Sequence, residues 1–177
     1  MYFEIFTIGH SNRSIEEFLS LLSLYKIEIL VDVRRWPKSD KFPHFNSENL
    51  SRSLSTIGLE YIWMEDLGGY RKFGKDVEDF GIAKYFKSEG FRAYATYVVK
   101  SEKARNALRE LLNLAKNKIT CIMCSEMIPY LCHRKIISDI LSQKGYVVKH
   151  IISEKKILVH KLSEWAITEK YLIDFLD

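Results

Sequence analysis

Short apolar runs alternate along the chain with longer segments whose apolar positions recur every three or four residues. The runs are Phe3–Ile8, Ile27–Val33, Leu59–Met64, Ile119–Cys124 and Tyr146–Ile151. Each is short for a helix and rich in β-branched or aromatic side chains, which predicts a strand. Ile27–Val33 is almost continuously apolar, as a parallel strand covered on both faces must be. After the first run, Ile15, Phe18, Leu19, Leu21, Leu22 and Tyr25 share one helical face. Ser14 and Glu17 stand at its start with the spacing of a capping box, in which each side chain satisfies the other's backbone N–H. A short helix is expected from Ser47 to Thr56, ended by Gly58. Helical spacing also marks Ile82–Phe86, Gly90–Val99 and Lys103–Leu114. A further helix is predicted from Pro129, which suits a first turn, to Lys144, with Gly145 beyond it. From Ser153 onward a turn or short strand leads to a helix carrying Leu162, Trp165, Ile167, Tyr171, Leu172 and Phe175.

Strands that alternate with helices predict an α/β domain: three layers, α/β/α, around a mainly parallel sheet of about five strands, Rossmann-like in arrangement. Residues 1–177 are expected to form a single domain, with 153–177 a C-terminal extension packed on it. Right-handed crossovers bring every βα loop to the carboxyl edge of such a sheet, where ligands bind. Four loops fall there: Gly9–Asn12, Asp32–Ser39, Leu67–Arg71 and Cys124–Arg134. They should converge despite their separation in sequence. The stretch from Leu67 to Gly81 is long, polar and aromatic, as a functional loop or lid is.

Composition narrows the class without naming a ligand. The 177 residues are 47% hydrophobic and 28% charged, ordinary for a globular protein, and 13% aromatic, too rich for a disordered one. A net charge of +4 is too mild to indicate a nucleic-acid binder by itself. Locally, Arg34, Arg35, Lys38, Lys41 and Arg52 outnumber Asp40 and Glu48, so that segment either faces an anion or is a solvated basic loop. Three cysteines, with no basic leader and no apolar run approaching the ~20 residues of a membrane span, lead us to expect a reduced, cytoplasmic protein with no membrane partner.

The chemistry gathers between Cys121 and Arg134, which hold all three cysteines, Glu126, His133 and Arg134. Cys124 ends a strand before a helix start, where backbone N–H groups favour a thiolate. It is either a nucleophile or sulfur carrier, or a buried small hydrophobe. The arginine that a cysteine phosphatase places six positions on is absent, because Tyr130 stands there. A Cys124–Cys132 disulfide is open on spacing. A zinc site of Cys124, Cys132, His133 and His10 is disfavoured, since the ligands form one cluster rather than two paired knuckles. No metal is expected, and the sequence names no cofactor. Glu126 is a candidate acid, base or nucleophile; as a bland alternative it is a carboxylate placed well at a helix start. His10 and His133 are candidate assistants at the same edge, whereas His44, His150 and His160 read as structural. Asp32 and Arg34 share a face two residues apart. Asp32 would hold a guanidinium fork towards an anion or close a structural ion pair. Gly68 and Gly69 would let backbone approach a ligand, and Arg71 would add a donor.

Four motifs occur in order: Thr7-Ile8-Gly9-His10-Ser11; Val31-Asp32-Val33-Arg34 with Pro37 and Ser39; Leu67-Gly68-Gly69-Tyr70-Arg71; and Cys124-x-Glu126-x-x-Pro129-x-x-Cys132-His133-Arg134. Through them the chain resembles the uncharacterised domain-of-unknown-function family 488, from about Phe3 to His150. Ile128 departs from that pattern, standing where an acidic residue is expected. The resemblance brings no activity with it.

The expectation is therefore an enzyme, a hydrolase or transferase using Glu126 and/or Cys124, acting on an anionic small molecule such as a nucleotide or phosphorylated metabolite. Cys124, Glu126, His10 and His133 form the catalytic set. Ser11, Asp32, Arg34, Ser39, Gly68, Gly69, Arg71 and Arg134 form the ligand-binding set. Two alternatives stand beside it. One is a nucleic-acid binding or processing module that uses the basic and aromatic loop Arg34–Phe45. The other is a cysteine-based thiol or sulfur-transfer protein.

Overall fold

A computed structural model describes residues 3–169. Six strands form one sheet: β1 (Phe3–Gly9), β2 (Ile29–Asp32), β3 (Glu60–Trp63), β4 (Thr120–Cys124), β5 (Tyr146–Ser153) and β6 (Lys156–Val159). Their order is β3-β2-β4-β1-β5-β6, and all neighbours are parallel except β5 and β6. Six α-helices cover it: α1 (Ile15–Leu24), α2 (Ser47–Ser55), α3 (Glu89–Lys100), α4 (Glu102–Asn117), α5 (Arg134–Gln143) and α6 (Glu164–Thr168). The fold is thus the expected α/β/α sandwich. Among the described residues no helix is long and apolar enough to cross a membrane.

The handedness of the crossovers decides which face each helix covers. From β1 to β2 and from β2 to β3 the chain moves one way along the sheet; from β3 to β4 and from β4 to β5 it moves the other way. Accordingly α1 and α2 bury Phe18, Leu22, Leu50 and Leu54 with Phe6, Ile8, Leu30 and Met123. Helices α3 to α6 bury Tyr94, Val98, Leu108, Ile137 and Trp165 with Ile5, Val31, Ile122 and Val148. Alternation along each strand then sorts the polar strand residues by face. Thr7, Cys124 and His150 lie in phase with Ile5, Ile122 and Val148, towards α3–α6. Asp32 lies in phase with Leu30, towards α1 and α2.

The short strand open after Ser153 forms as β6, which turns back antiparallel from β5 through Glu154 and Lys155. Two elements differ from expectation. Ile82–Phe86 is not a helix: Ala83 takes a left-handed turn with φ 56°, which breaks a right-handed helix. The helix expected from Pro129 is interrupted. A 3₁₀ turn over Pro129–Leu131 gives way to an extended Cys132 (φ −134°, ψ 173°), and α5 starts only at Arg134. That extended residue turns the Cys132 sulfur towards Cys124. Tyr171, Leu172 and Phe175 lie outside the described residues.

Candidate functional site

The loops after β1, β2, β3 and β4 pack against one another at the carboxyl edge, and glycines allow the approach. A Cβ on Gly9 would stand 1.7 Å from the Glu126 carbonyl oxygen, and one on Gly68 would stand 2.5 Å from the Arg35 Cα. A Cβ on Gly69 would meet the His133 imidazole at 2.9 Å. Gly68 and Gly69 therefore bring loop against loop.

On the α3–α6 face, the Cys124 and Cys132 sulfurs are 3.0 Å apart, both unoxidised and buried. The Arg134 guanidinium lies against both: Nε donates to Cys124 Sγ at 2.9 Å and to Cys132 Sγ at 3.3 Å. The Arg134 backbone N–H, at the start of α5, adds a bond to Cys132 Sγ at 3.4 Å. Burial pushes the Cys132 thiol up, but the Cys124 S–H bond and the guanidinium outweigh it and hold Cys132 well below the ordinary cysteine value. Cys124 moves the other way, raised by burial and by the proton that it shares with Cys132. The two shifts run in opposite directions, which favours the charge on Cys132 and the proton on Cys124. Cys121 points to the α1–α2 core, where burial raises its thiol.

The remaining donors of Arg134 are also engaged. Nη1 donates to Thr7 Oγ1 at 2.9 Å, and Nη2 donates to the carbonyls of Glu126 and Met127. Arg71 is likewise turned inward, donating to the carbonyls of Gly68 and Glu65 and lying over the Tyr97 ring at 4.1 Å. It closes the loop after β3. His133 is neutral, its pKa lowered by burial; its Nε2 donates to the Val33 carbonyl at 2.7 Å, tying the β4 loop to the end of β2.

On the α1–α2 face, Asp32 receives Arg34 through Nε at 2.9 Å and Nη2 at 2.6 Å, and Tyr61 Oη at 2.7 Å. Arg34 Nη2 also donates to the Phe45 carbonyl at 2.8 Å, leaving Nη1 to face His10 Nε2 at 3.4 Å. His10 stacks on Phe45 with ring centres 4.4 Å apart and donates from Nδ1 to the Ser11 carbonyl at 2.9 Å. Burial lowers its pKa to about 4, so it is neutral at pH 7. His44 packs beside it against Phe45 and bonds the Arg13 carbonyl.

Two hollows open at this edge. One, of about 270 Å³, has Cys124, Cys132 and His133 at its base and Trp36, Tyr70, Phe91 and Tyr94 among its walls. The Trp36 and Tyr70 rings are stacked with centres 6.1 Å apart, 62% and 75% exposed respectively. Tyr70 holds a left-handed backbone (φ 58°), an unusual conformation for a bulky residue. The second, of about 430 Å³, is a polar trough containing His10, Ser11, Ser39, Lys38, Lys41 and Phe42. Arg34, Ser125 and Glu126 border both hollows. The Glu126 side chain is exposed there, and no hydrogen bond or ion pair engages it among the described residues. No cluster of three or more His, Cys, Asp or Glu side chains among the described residues is arranged to hold a metal ion.

The structure thus brings Cys124, Glu126, Arg34, Gly69 and His133 to one hollow, and His10, Ser11, Arg34, Ser39 and Glu126 to the other. Asp32, Gly68, Arg71 and Arg134 stand behind them as support. Sequence reasoning did not assign Trp36, Tyr70 and Tyr94 to a cavity wall, nor Thr7 and His150 to the surroundings of the thiol pair. A polar residue inside each of two apolar strands was the available signal for the last two.

No curated protein and no solved structure matches the chain. The family model described as "Domain of unknown function DUF488" matches residues 14–141. The chain belongs to that family.

Proposed function

We propose that the chain is an enzyme whose reacting group is the Cys124–Cys132 thiol pair, acting on a small ring-bearing molecule held in the cavity of about 270 Å³. One observation carries this reading: the Arg134 Nε directed at both sulfurs, which are themselves 3.0 Å apart. A buried guanidinium gains most from an acceptor that bears charge. The thiolate is the nucleophilic form of cysteine. Cys132 would attack an electrophilic centre X of a substrate X–Y. The S–X bond forms as X–Y breaks, and the Cys124 proton leaves with Y. Water then cleaves S–X, returning its proton to Cys124 and releasing X–OH. Cys124 acts first as acid and then as base, which keeps every atom and charge accounted for. Glu126, free at the mouth, is placed to orient a donor group of the substrate or the water. Trp36 and Tyr70 offer flat faces that favour a planar substrate.

The test is the pH dependence of alkylation by iodoacetamide, with each cysteine resolved by mass spectrometry. Cys132 should react with an inflection well below the free-cysteine value of ~8.5. An inflection at that ordinary value would remove the basis for the proposal.

A second reading rests on the trough. Lys38 and Lys41 are exposed in the trough with the half-buried Phe42, and the exposed, stacked Trp36 and Tyr70 line the other hollow. Exposed cations next to exposed rings suit a single-stranded nucleic acid, with phosphates along the lysines and bases on the rings. An anionic small molecule would meet those same lysines rather than Arg71 or Arg134, whose donors are engaged. Anisotropy of a labelled single-stranded oligonucleotide should show binding that weakens with salt and with Lys38→Ala plus Lys41→Ala. No binding at low salt would reject this alternative.

A further inference from the structure

Behind the thiol pair runs a chain of buried polar groups that no requirement of the sheet explains. Thr7 on β1 and His150 on β5 are direct register partners, and Thr7 Oγ1 meets His150 Nδ1 at 2.7 Å. His150 Nε2 meets His160 Nδ1 at 3.0 Å, and His160 Nε2 meets Asp139 Oδ1 at 2.9 Å. Asp139 also accepts from the Ser163 backbone and hydroxyl and from Trp165 Nε1 at 2.8 Å. Thr7, Asp139 and His150 are wholly buried and His160 nearly so.

A carboxylate only accepts, so His160 donates from Nε2. With a neutral imidazole at that position its Nδ1 accepts, and the direction of every further bond follows. His150 must then donate from Nε2 and accept at Nδ1. Thr7 must donate its hydroxyl proton to His150, and its oxygen is left to accept from Arg134 Nη1. In that arrangement the links Arg134–Thr7–His150–His160–Asp139 all point one way. A guanidinium does not pass protons near neutral pH, so the chain is no proton conduit. What it fixes is orientation.

Resting on the thiol reading above, we infer that Thr7, His150, His160 and Asp139 are positioning residues, a buried relay that holds the Arg134 guanidinium against the two sulfurs and so sets the reactivity of the pair. Without the Thr7 acceptor, Nη1 has no partner on β1, and only the two carbonyls at Nη2 still orient the planar group against the sulfurs. The other charged or titratable groups near the pair are Lys135 and His133 beside Arg134, and Tyr94 from α3. Tyr130 covers the histidines, its ring stacked on His160 at 5.9 Å.

The experiment compares Thr7→Val, which keeps the shape and removes the hydroxyl, with Thr7→Ser, which restores it. For each, the alkylation inflection of Cys132 is measured beside the unfolding midpoint. Thr7→Val should raise the inflection by about 1 pH unit, a tenfold loss of thiolate below it, and Thr7→Ser should return it to the wild-type value. A purely structural role would lower the unfolding midpoint of Thr7→Val and leave the inflection unmoved; with a low wild-type inflection, that result overturns the relay and spares the thiol reading. An ordinary inflection in the wild type overturns both. His150→Asn cuts the next link and provides the same readout where Thr7→Val does not fold.

Discussion

Arg134 ties both sulfurs to β1 and to the loop after β4. It is wholly buried, yet it carries a charge that burial opposes; the two sulfurs beside it hold that charge in place. Replacing it with methionine fills the space but leaves the Glu126 and Met127 carbonyls, Thr7 and the thiolate without their donor. Breaking a buried charged pair from one side costs roughly 3–5 kcal/mol. Arg134→Met should lose about that much in urea unfolding, with the Cys132 inflection rising to the free-thiol range. Arg134→Lys should lose less stability but keep few of the bonds, since an ammonium cannot span sulfur, hydroxyl and carbonyl at once. Equal unfolding energies for wild type and Arg134→Met would contradict this account. The role of this side chain was only half legible in the sequence. Its place in a reactive cluster was plain from its neighbours. Its direction was not, because a short 3₁₀ turn and an extended Cys132 replaced the helix that the proline predicted.

Among the elements, the crossing of loops over the sheet edge sets the shape of both hollows. The β1 loop and the β4 loop leave adjacent strands towards opposite faces, and Gly9 against Glu126 is where they touch. Overpacking costs typically ~1–3 kcal/mol. Gly9→Ala must push apart two backbones and should sit at or above the top of that range. Gly69→Ala meets only an imidazole and should sit lower. Urea midpoints of the two variants check this ranking; the reverse order would show that the loops part more easily than the histidine. The convergence of these loops was legible from strand–helix alternation alone. The sorting of Asp32 and Cys124 to opposite faces was not, since it depends on strand phase, and phase becomes definite only when the helices on each side are known. His150 and His160 read as structural for a similar reason. They sit ten residues apart, and the hairpin that brings them together includes β6, whose apolar core is only three residues long.

For the molecule as a whole, the buried neutral histidines make stability depend on pH. Burial lowers His10 to about 4 and, together with His160 and Arg134, lowers His150 to about 3, against 6.5 for a free imidazole. The unfolded chain therefore takes up protons first as the pH falls. The contribution is fully present above pH 6.5 and is lost on acidification through the window down to about pH 4 for His10 and about pH 3 for His150. For His10 the loss is on the order of 3 kcal/mol. Unfolding midpoints should hold steady just above pH 7 and fall steeply below pH 6; a flat profile to pH 4 would mean that the imidazoles are not sealed. The layers and the parallel sheet were legible because strand and helix periods alternate cleanly. The antiparallel edge was hidden because Lys156–Val159 is brief and follows a tight turn.

The family match ends at residue 141, short of β5, β6 and α6. The thiol pair and Arg134 fall inside it, while His150, His160, Ser163 and Trp165 come from the segment beyond. On the relay proposed above, substitutions in that C-terminal segment would alter how the sulfurs react without altering a residue that touches them.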